Sequence, residues 1–485
     1  MRNAGRRGRA DTASVLLALL LLAAYAALTI LTRRAAESWS SADYGLYIMH
    51  ARNLAEGLPY AQTGYVPNPG NAIISPAAYP FGYPLLLAVP FHLWGLDLGQ
   101  LELVGCVALI AIVVATYALA RNWLDARWAL VAAIATGFVP QLVSLRDTIS
   151  SDLAFTAWAL LALWLHDRAK GLPGLALLTL VVGMAEATRS AGIALAAALI
   201  LADLARRAPG WMQRIGSVAL GMGLAIIGNK LLHADAAGTY LSYLGRIGEA
   251  PFAYLLHAGQ DYLIGLSYAL GLSFGQLGNL VFLVVLLGSA LIGWGMAARA
   301  RFGAALLFVP IYLGLLVLFP VRLETARYLV PLLPLLAIFA VRGIAAFRLK
   351  PAPTMAATLA FFAVGFGGSF LADNPFAPMT ARHVDAGVGR ELAHIGASVP
   401  DGEIILASNP RVLALFSNDR AGIWNEHPSP RDIRDPERRM KARYLLLDRK
   451  PADGDETRVA GYIAAAPGLV RQVAQTPNFT LYAFR

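Results

Sequence analysis

Apolar positions in this chain gather into runs of about 20 residues separated by short polar breaks. A helix rises about 1.5 Å per residue, so each run matches the roughly 30 Å hydrocarbon layer of a bilayer. The pattern predicts membrane spans at 14–32, 101–121, 127–143, 151–166, 172–188, 190–205, 213–232, 278–298, 303–320, 327–347 and 354–372. Two further apolar stretches, "YPFGYPLLLAVPFHLWG" (79–95) and "HAGQDYLIGLSYALGLSFG" (257–275), are predicted to lie half-inserted or along the interface. The first is broken by Pro80, Pro84 and Pro90, and counting either one alone as a span inverts the basic loops on one side of it. From about residue 374 the period changes. "GEIILASNP" reads as a strand closed by Asn-Pro, "RVLALFSNDRAG" as a short helix and turn, "ARYLLLDRK" as a buried strand and "VRQVAQTPNFTLYAFR" as a hairpin.

The elements add up to a polytopic α-helical membrane protein of about 11–13 transmembrane helices with a small C-terminal α/β domain. The membrane part is expected at 1–373, with 33–100 as a first outer loop carrying juxtamembrane helices, and the soluble domain at 374–485. Composition agrees: 57% of the 485 residues are apolar and only 14% charged, and mean hydropathy is +0.57. Soluble proteins carry about 25% charged residues. The net charge of +10 is scattered in short clusters between apolar runs. Cytoplasmic loops look like this, whereas nucleic-acid grooves do not, so no nucleic-acid partner is expected. The single cysteine, Cys106, lies in an apolar run and reads as a small buried hydrophobe. The basic start "MRNAGRRGR" places the N-terminus in the cytoplasm, with the first run read as a retained span. "ARNWLDAR", "HDRAKG", "RRAPGWMQR", "ARARFG" and "FRLKPAP" then fall on the same side, and the C-terminal domain falls outside, on the periplasmic or extracytoplasmic face of the cell membrane.

That orientation brings acids and arginines from distant segments to one membrane level. The first loop offers Asp43, His50, Arg52 and Glu56; "SLRDTISSDLAF" offers Arg146, Asp147 and Asp152; "MAEATRSAG" offers Glu186 and Arg189; "FPVRLETARYLVPLLP" offers Arg322, Glu324 and Arg327. Charges at a helix centre cost about 2.5–3.5 kcal/mol on insertion scales. Arginines at the interface snorkel, which makes membrane anchoring the plain reading for any one of them. Aspartate is too short for that, so Asp43 and Asp152 stand out.

The ordered pieces "DYGLYIMHARNLAEGLPY", "YPFGYPLLLA", "SDLAF", "TRSAGIAL" and "RYLVPLLP" resemble the GT-C superfamily of membrane glycosyltransferases, nearest to its protein mannosyltransferase and aminoarabinose transferase branch. The resemblance covers nearly the whole membrane part. It implies a polyprenyl-phosphate-linked sugar as donor, membrane lipids around it, and transfer on the outer face to a lipid, glycan or protein acceptor. It makes Asp43 the catalytic base, matches Asp152 to a second acidic position, and matches Arg327 to a position facing the lipid phosphate. Many relatives carry Asp-Glu where Asp43 is followed by Tyr44, which leaves the base in place and the acceptor open.

The chemistry fits those residue types. A phosphate departs as an anion and needs no proton, so one carboxylate suffices, to deprotonate the incoming hydroxyl. Arginines such as Arg327, Arg322 and Arg189 meet developing phosphate charge with a planar fork. Direct attack inverts the anomeric centre. Asp147, His50, Tyr79, Tyr83 and Tyr328 are candidates to line the acceptor site or the lipid groove, with an aromatic belt and a scaffold histidine as their plainer readings. No organic cofactor is called for, and the metal question stays open. Asp43, Asp147 and Asp152 carry the oxygens a divalent ion takes, yet the branch resembled is not thought to need a metal for transfer. Two rival readings are a transporter or flippase of lipid-linked sugars and a polysaccharide polymerase or ligase. Transporters place charges near the midplane, often in related halves, and the polymerases depend on a large loop between late spans.

Overall fold

The predicted spans recur as helices along the chain. The computed structural model describes residues 19–34, 39, 43–68, 71, 78–234, 251–318, 324–347, 349–376, 386–418, 420–425, 428, 440–451 and 454–485. Each of the eleven sequence-predicted spans coincides with helix: Leu19–Leu31, Leu98–Ala120, Ala126–Gly137, Ser151–His166, Gly171–Thr188, Gly192–Arg206, Trp211–Leu231, Gly275–Ala300, Ala304–Leu318, Thr325–Ala345 and Pro351–Ala372. Among the described residues five of these are long and apolar enough to cross a membrane, namely Leu98–Ala120, Gly171–Thr188, Gly275–Ala300, Thr325–Ala345 and Pro351–Ala372. The chain is a multi-pass helical membrane protein.

Chain contacts divide the molecule into two compact units: Met1–Arg34, Glu102–Ile227 and Tyr243–Met379 form the first, and Ala35–Leu101, Gly228–Ser242 and Thr380–Arg485 the second. The first outer loop, expected at 33–100 as part of the membrane domain, thus shares a unit with the C-terminal region.

Helices of the first unit meet through small residues. A Cβ on Gly293 would collide with the Phe339 carbonyl oxygen, and one on Gly343 with that of Ser289, so Gly275–Ala300 and Leu333–Ala345 touch backbone to backbone. Gly221 lies likewise against the Thr179 carbonyl. In hydrocarbon, where apolar burial gives helices no preference for each other over lipid, such close contact is what drives association. Caps are placed as physics requires. Asp125 accepts from the backbone N–H of Arg127 and Trp128 at 3.0 and 3.1 Å, and Ser150 accepts from that of Asp152, each worth about 1 kcal/mol.

The second unit holds a six-stranded sheet in the order β1-β3-β2-β4-β6-β5. Its strands are β1 Tyr65–Val66, β2 Ile404–Leu406, β3 Arg420–Gly422, β4 Tyr444–Asp448, β5 Val470–Gln475 and β6 Phe479–Phe484. β1, β3, β2 and β4 run parallel, whereas β6 pairs antiparallel with β4 and β5. β2 is buried along its whole length and β4 at its centre, the continuous apolar reading of parallel strands. β2, β4 and the β5–β6 hairpin lie where the sequence predicts them. β1 and β3 are additions: Tyr65 pairs with Ala421 and Val66 with Gly422, which ties the first loop into the C-terminal sheet. Asn68 and Asn71 extend the tie by donating to the carbonyls of Ile423 and Trp424 at 2.9 and 3.0 Å.

The stretch expected at 79–95 is the helix Gly82–Trp94, whose 13 residues reach about 20 Å. That is too short to cross a bilayer. It buries Tyr83 and Leu87 and exposes Leu85, Val89, Leu93 and Trp94. The stretch at 257–275 forms the helix Pro251–Ala269.

Candidate active site

Two constellations gather the sequence-predicted residues, one in each unit. In the second unit the helix Asp43–Glu56 starts on an acid, favourable at the positive end of a helix dipole. It stops at Gly57, which adopts φ 71° so that the Leu58 N–H closes on the Asn53 carbonyl at 2.8 Å. This is a left-handed glycine cap, and it accounts for the "AEGLP" stretch.

Asp43 Oδ1 accepts two hydrogen bonds, from the Tyr79 hydroxyl at 2.8 Å and from Arg411 Nη1 at 2.9 Å. Arg411 Nη1 also lies 2.9 Å from the Tyr79 oxygen. The Asp43 side chain is 32% exposed and that of Arg411 6%. Burial alone would pull the Arg411 guanidinium down, but Tyr79, Asp43 and Tyr65 outweigh it and hold it above the usual arginine value.

Tyr79 is fixed at every group. Its ring stacks on Tyr47 with centroids 4.5 Å apart, its carbonyl accepts from the Tyr60 hydroxyl at 2.7 Å, and its N–H donates to His50 Nε2 at 3.2 Å. His50 Nδ1 faces the Tyr60 carbonyl at 2.9 Å. A carbonyl only accepts, so Nδ1 carries the proton and Nε2 is the acceptor. His50 is therefore a neutral scaffold residue, and burial lowers its pKa to about 4, against the opposing pull of the Tyr60 carbonyl. Tyr83 is buried and packs edge-on to Tyr47.

In the first unit Asp152, 2% exposed, sits in the first turn of Ser151–His166. Its carboxylate takes Arg327 Nε at 2.5 Å, together with Arg189 Nη1 and the Ser150 hydroxyl. Arg189 caps the C-terminal end of Gly171–Thr188, where the dipole favours a cation. Arg327 lies on the short turn Thr325–Tyr328 and also bonds Glu324 at 2.7 Å. The two arginine side chains remain 24% and 17% exposed. Two guanidinium groups thus share one buried carboxylate, that of Asp152, and Glu324 adds a second carboxylate to Arg327.

Solved structures match this architecture. The chain is similar to ArnT, the aminoarabinose transferase from Cupriavidus metallidurans bound to undecaprenyl phosphate, at 16% identity and a TM-score of 0.57 over 98% of both chains. It is similar to the oligosaccharyltransferase AglB from Archaeoglobus fulgidus in complex with an inhibitory peptide and a dolichol-phosphate, at 12% identity and a TM-score of 0.58, over 97% of this chain and 74% of that one. A third match is arabinofuranosyltransferase AftD from Mycobacteria, at 16% identity and a TM-score of 0.60, over 96% of this chain and 41% of that one. The fold is that of the GT-C glycosyltransferases. No protein-family model matches the sequence, and no curated protein does.

Asp147 stands apart from the Asp152 cluster. It accepts from Arg146 Nε at 3.0 Å and from the Arg34 backbone N–H at 2.9 Å. Arg146, fully buried, donates to the carbonyls of Thr32 and Pro375 at 2.9 and 2.6 Å and lies over the Phe376 ring. The pair ties Thr32 and Arg34 to Pro375 within the unit. Tyr328 presents its carbonyl to the Tyr312 hydroxyl at 3.2 Å. Arg322 lies outside the described residues. No three His, Cys, Asp or Glu side chains come together as a metal site among the described residues, and Asp147 and Asp152 are both committed to arginine.

Sequence reasoning missed Arg411. Its signal is an arginine in the first turn of the helix Pro410–Ser417, where the dipole opposes a cation and some other partner must compensate.

Proposed function

We propose that this protein is an inverting glycosyltransferase that moves a sugar from a polyprenyl-phosphate-linked donor to a hydroxyl of a lipid, glycan or protein acceptor on the outer face of the membrane. The observation that carries the reading is a GT-C fold in which a partly exposed carboxylate, Asp43, is oriented by a hydroxyl and a guanidinium on one oxygen. Likeness over 98% of both chains to a structure with undecaprenyl phosphate bound supports a prenyl-phosphate donor. In the transfer, the acceptor oxygen forms a bond to the anomeric carbon and its proton passes to the Asp43 carboxylate. The bond from that carbon to the phosphate oxygen breaks, and the electron pair leaves on the polyprenyl phosphate. Arg189 and Arg327 meet the phosphate charge, and Asp152 holds both in position. In this reading the N-terminus is cytoplasmic and residues 374–485 stand outside.

The test supplies membranes with a panel of radiolabelled undecaprenyl-phosphate sugars and compares wild type with Asp43→Asn. The substitution keeps shape and removes the base. Wild type is expected to transfer label from one donor, and the variant to be slower by about 10²–10⁴-fold. Equal rates would remove Asp43 from the role. Label carried between leaflets with its sugar–phosphate bond intact would mark a transporter instead.

A further inference from the structure

We infer that Arg411, from the C-terminal region, is the positioning residue of the catalytic base, so that this region is a working part of the active centre and not an attachment to it. The inference rests on the reading of Asp43 as base, and it deepens that reading.

Three observations within the second unit carry it. Arg411 is nearly buried, and Nη1 bonds both Asp43 Oδ1 and the Tyr79 hydroxyl at 2.9 Å. One guanidinium nitrogen thereby fixes the carboxylate and the phenol that also fixes it. The two helices that bear the pair touch at backbone level: a Cβ on Gly45 would stand 2.8 Å from the Arg411 carbonyl oxygen and 2.9 Å from its carbon. Only glycine at position 45 lets Asp43–Glu56 come this close. The chain then repeats the contact in the sheet, because β1 follows the Asp43 helix, β3 follows the Arg411 helix, and the two strands pair. Base and cation are each the start of a helix–strand segment, and the segments are joined at both ends.

This geometry has a chemical consequence. Both bonds fall on Oδ1, which sets the plane of the carboxylate, and the adjacent positive charge favours its ionised form at the pH where it must accept a proton. Among the described residues, the other ionisable groups placed against the pair include Tyr79 and Tyr65, with Tyr47, His50 and Tyr83 around Tyr79. None of these is a second cation at neutral pH, His50 being held neutral. Removal of Arg411 thus takes away a positive charge in direct contact with Asp43.

The experiment measures kcat, KM and the pH profile of kcat/KM for the full-length protein in lipid nanodiscs. It uses the undecaprenyl-phosphate sugar that wild type turns over, and compares Arg411→Met, Arg411→Lys, Asp43→Asn and the double variant Asp43→Asn/Arg411→Met. Arg411→Met is expected to lower kcat on the order of 10²-fold, the scale of a misplaced catalytic group, with KM little changed. The acidic limb of its profile should move to higher pH, and Arg411→Lys should recover part of both. In the Asp43→Asn background the Met substitution should cost nothing further. An unchanged profile in Arg411→Met, or an equal loss in both backgrounds, overturns the inference while leaving the base in place. If Arg411→Met does not fold, as judged by its thermal midpoint, Arg411→Lys carries the test, because a structural role predicts no shift in its acidic limb. If Asp43→Asn turns over at the wild-type rate, the base assignment itself fails and the inference falls with it.

Discussion

Asp152 holds two guanidinium groups on one buried carboxylate, so its loss should register in folding before chemistry. Breaking a buried ion pair from one side leaves uncompensated charge and costs about 3–5 kcal/mol. Asp152→Asn is therefore expected to lower the thermal midpoint in detergent clearly, whereas Asp43→Asn, at a partly exposed site that leaves one buried guanidinium, that of Arg411, short of a partner rather than two, should lower it less. Differential scanning fluorimetry of the two variants side by side checks this. His50 gives a pH prediction. The folded protein prefers the neutral ring, with a pKa near 4 against an ordinary value of 6.5. The stability that His50 contributes is complete above pH 6.5 and is lost as pH falls from there to about 4. The full loss is roughly 3 kcal/mol. Protonation puts an N–H of the ring against the Tyr79 N–H, so the protection factor of the Tyr79 amide, its exchange rate relative to the intrinsic rate at each pH, should fall across that window. His50→Gln should abolish the pH dependence.

At the level of elements, the long spans were the most legible part of the chain. A 20-residue apolar run has only one way to satisfy its backbone in hydrocarbon, which is why each predicted span recurs as helix. β2, β4 and the β5–β6 hairpin were readable for a similar reason, being apolar segments bounded by turn residues. β1 was not, because Tyr65–Val66 is two residues long and exists as a strand only because β3 lies beside it. Pairing across 355 residues, as between Asn68 and Ile423, leaves no local signature. The candidate site divided along the same line. Asp43, Asp152, Arg189 and Arg327 stood out as charges where apolar segments begin or end. Arg411 and Tyr79 owe their roles to partners that only the fold brings near.

For the whole molecule, the sharing of one sheet by residues 65–66 and 404–484 bears on where the chain can be divided. Residues 386–485 expressed alone lose β1 and expose the edge of β3, a ready template for association. They are expected to elute as aggregates in size-exclusion chromatography. The same segment preceded by residues 39–95, in mild detergent that covers the exposed Leu85, Val89, Leu93 and Trp94, should run as a monomer.

The span between Asp43 and Arg411 also has a meaning in time. Arg411 is synthesised 368 residues after the carboxylate it touches, a delay of roughly 20–70 s at about 5–20 residues per second. During translation the nascent chain holds Asp43 without the guanidinium that bonds it in the complete chain. If Arg411 acts as inferred, an emerging polypeptide stays silent toward prenyl-linked sugars in the bilayer until its C-terminal region has arrived, and completion of the chain switches the enzyme on.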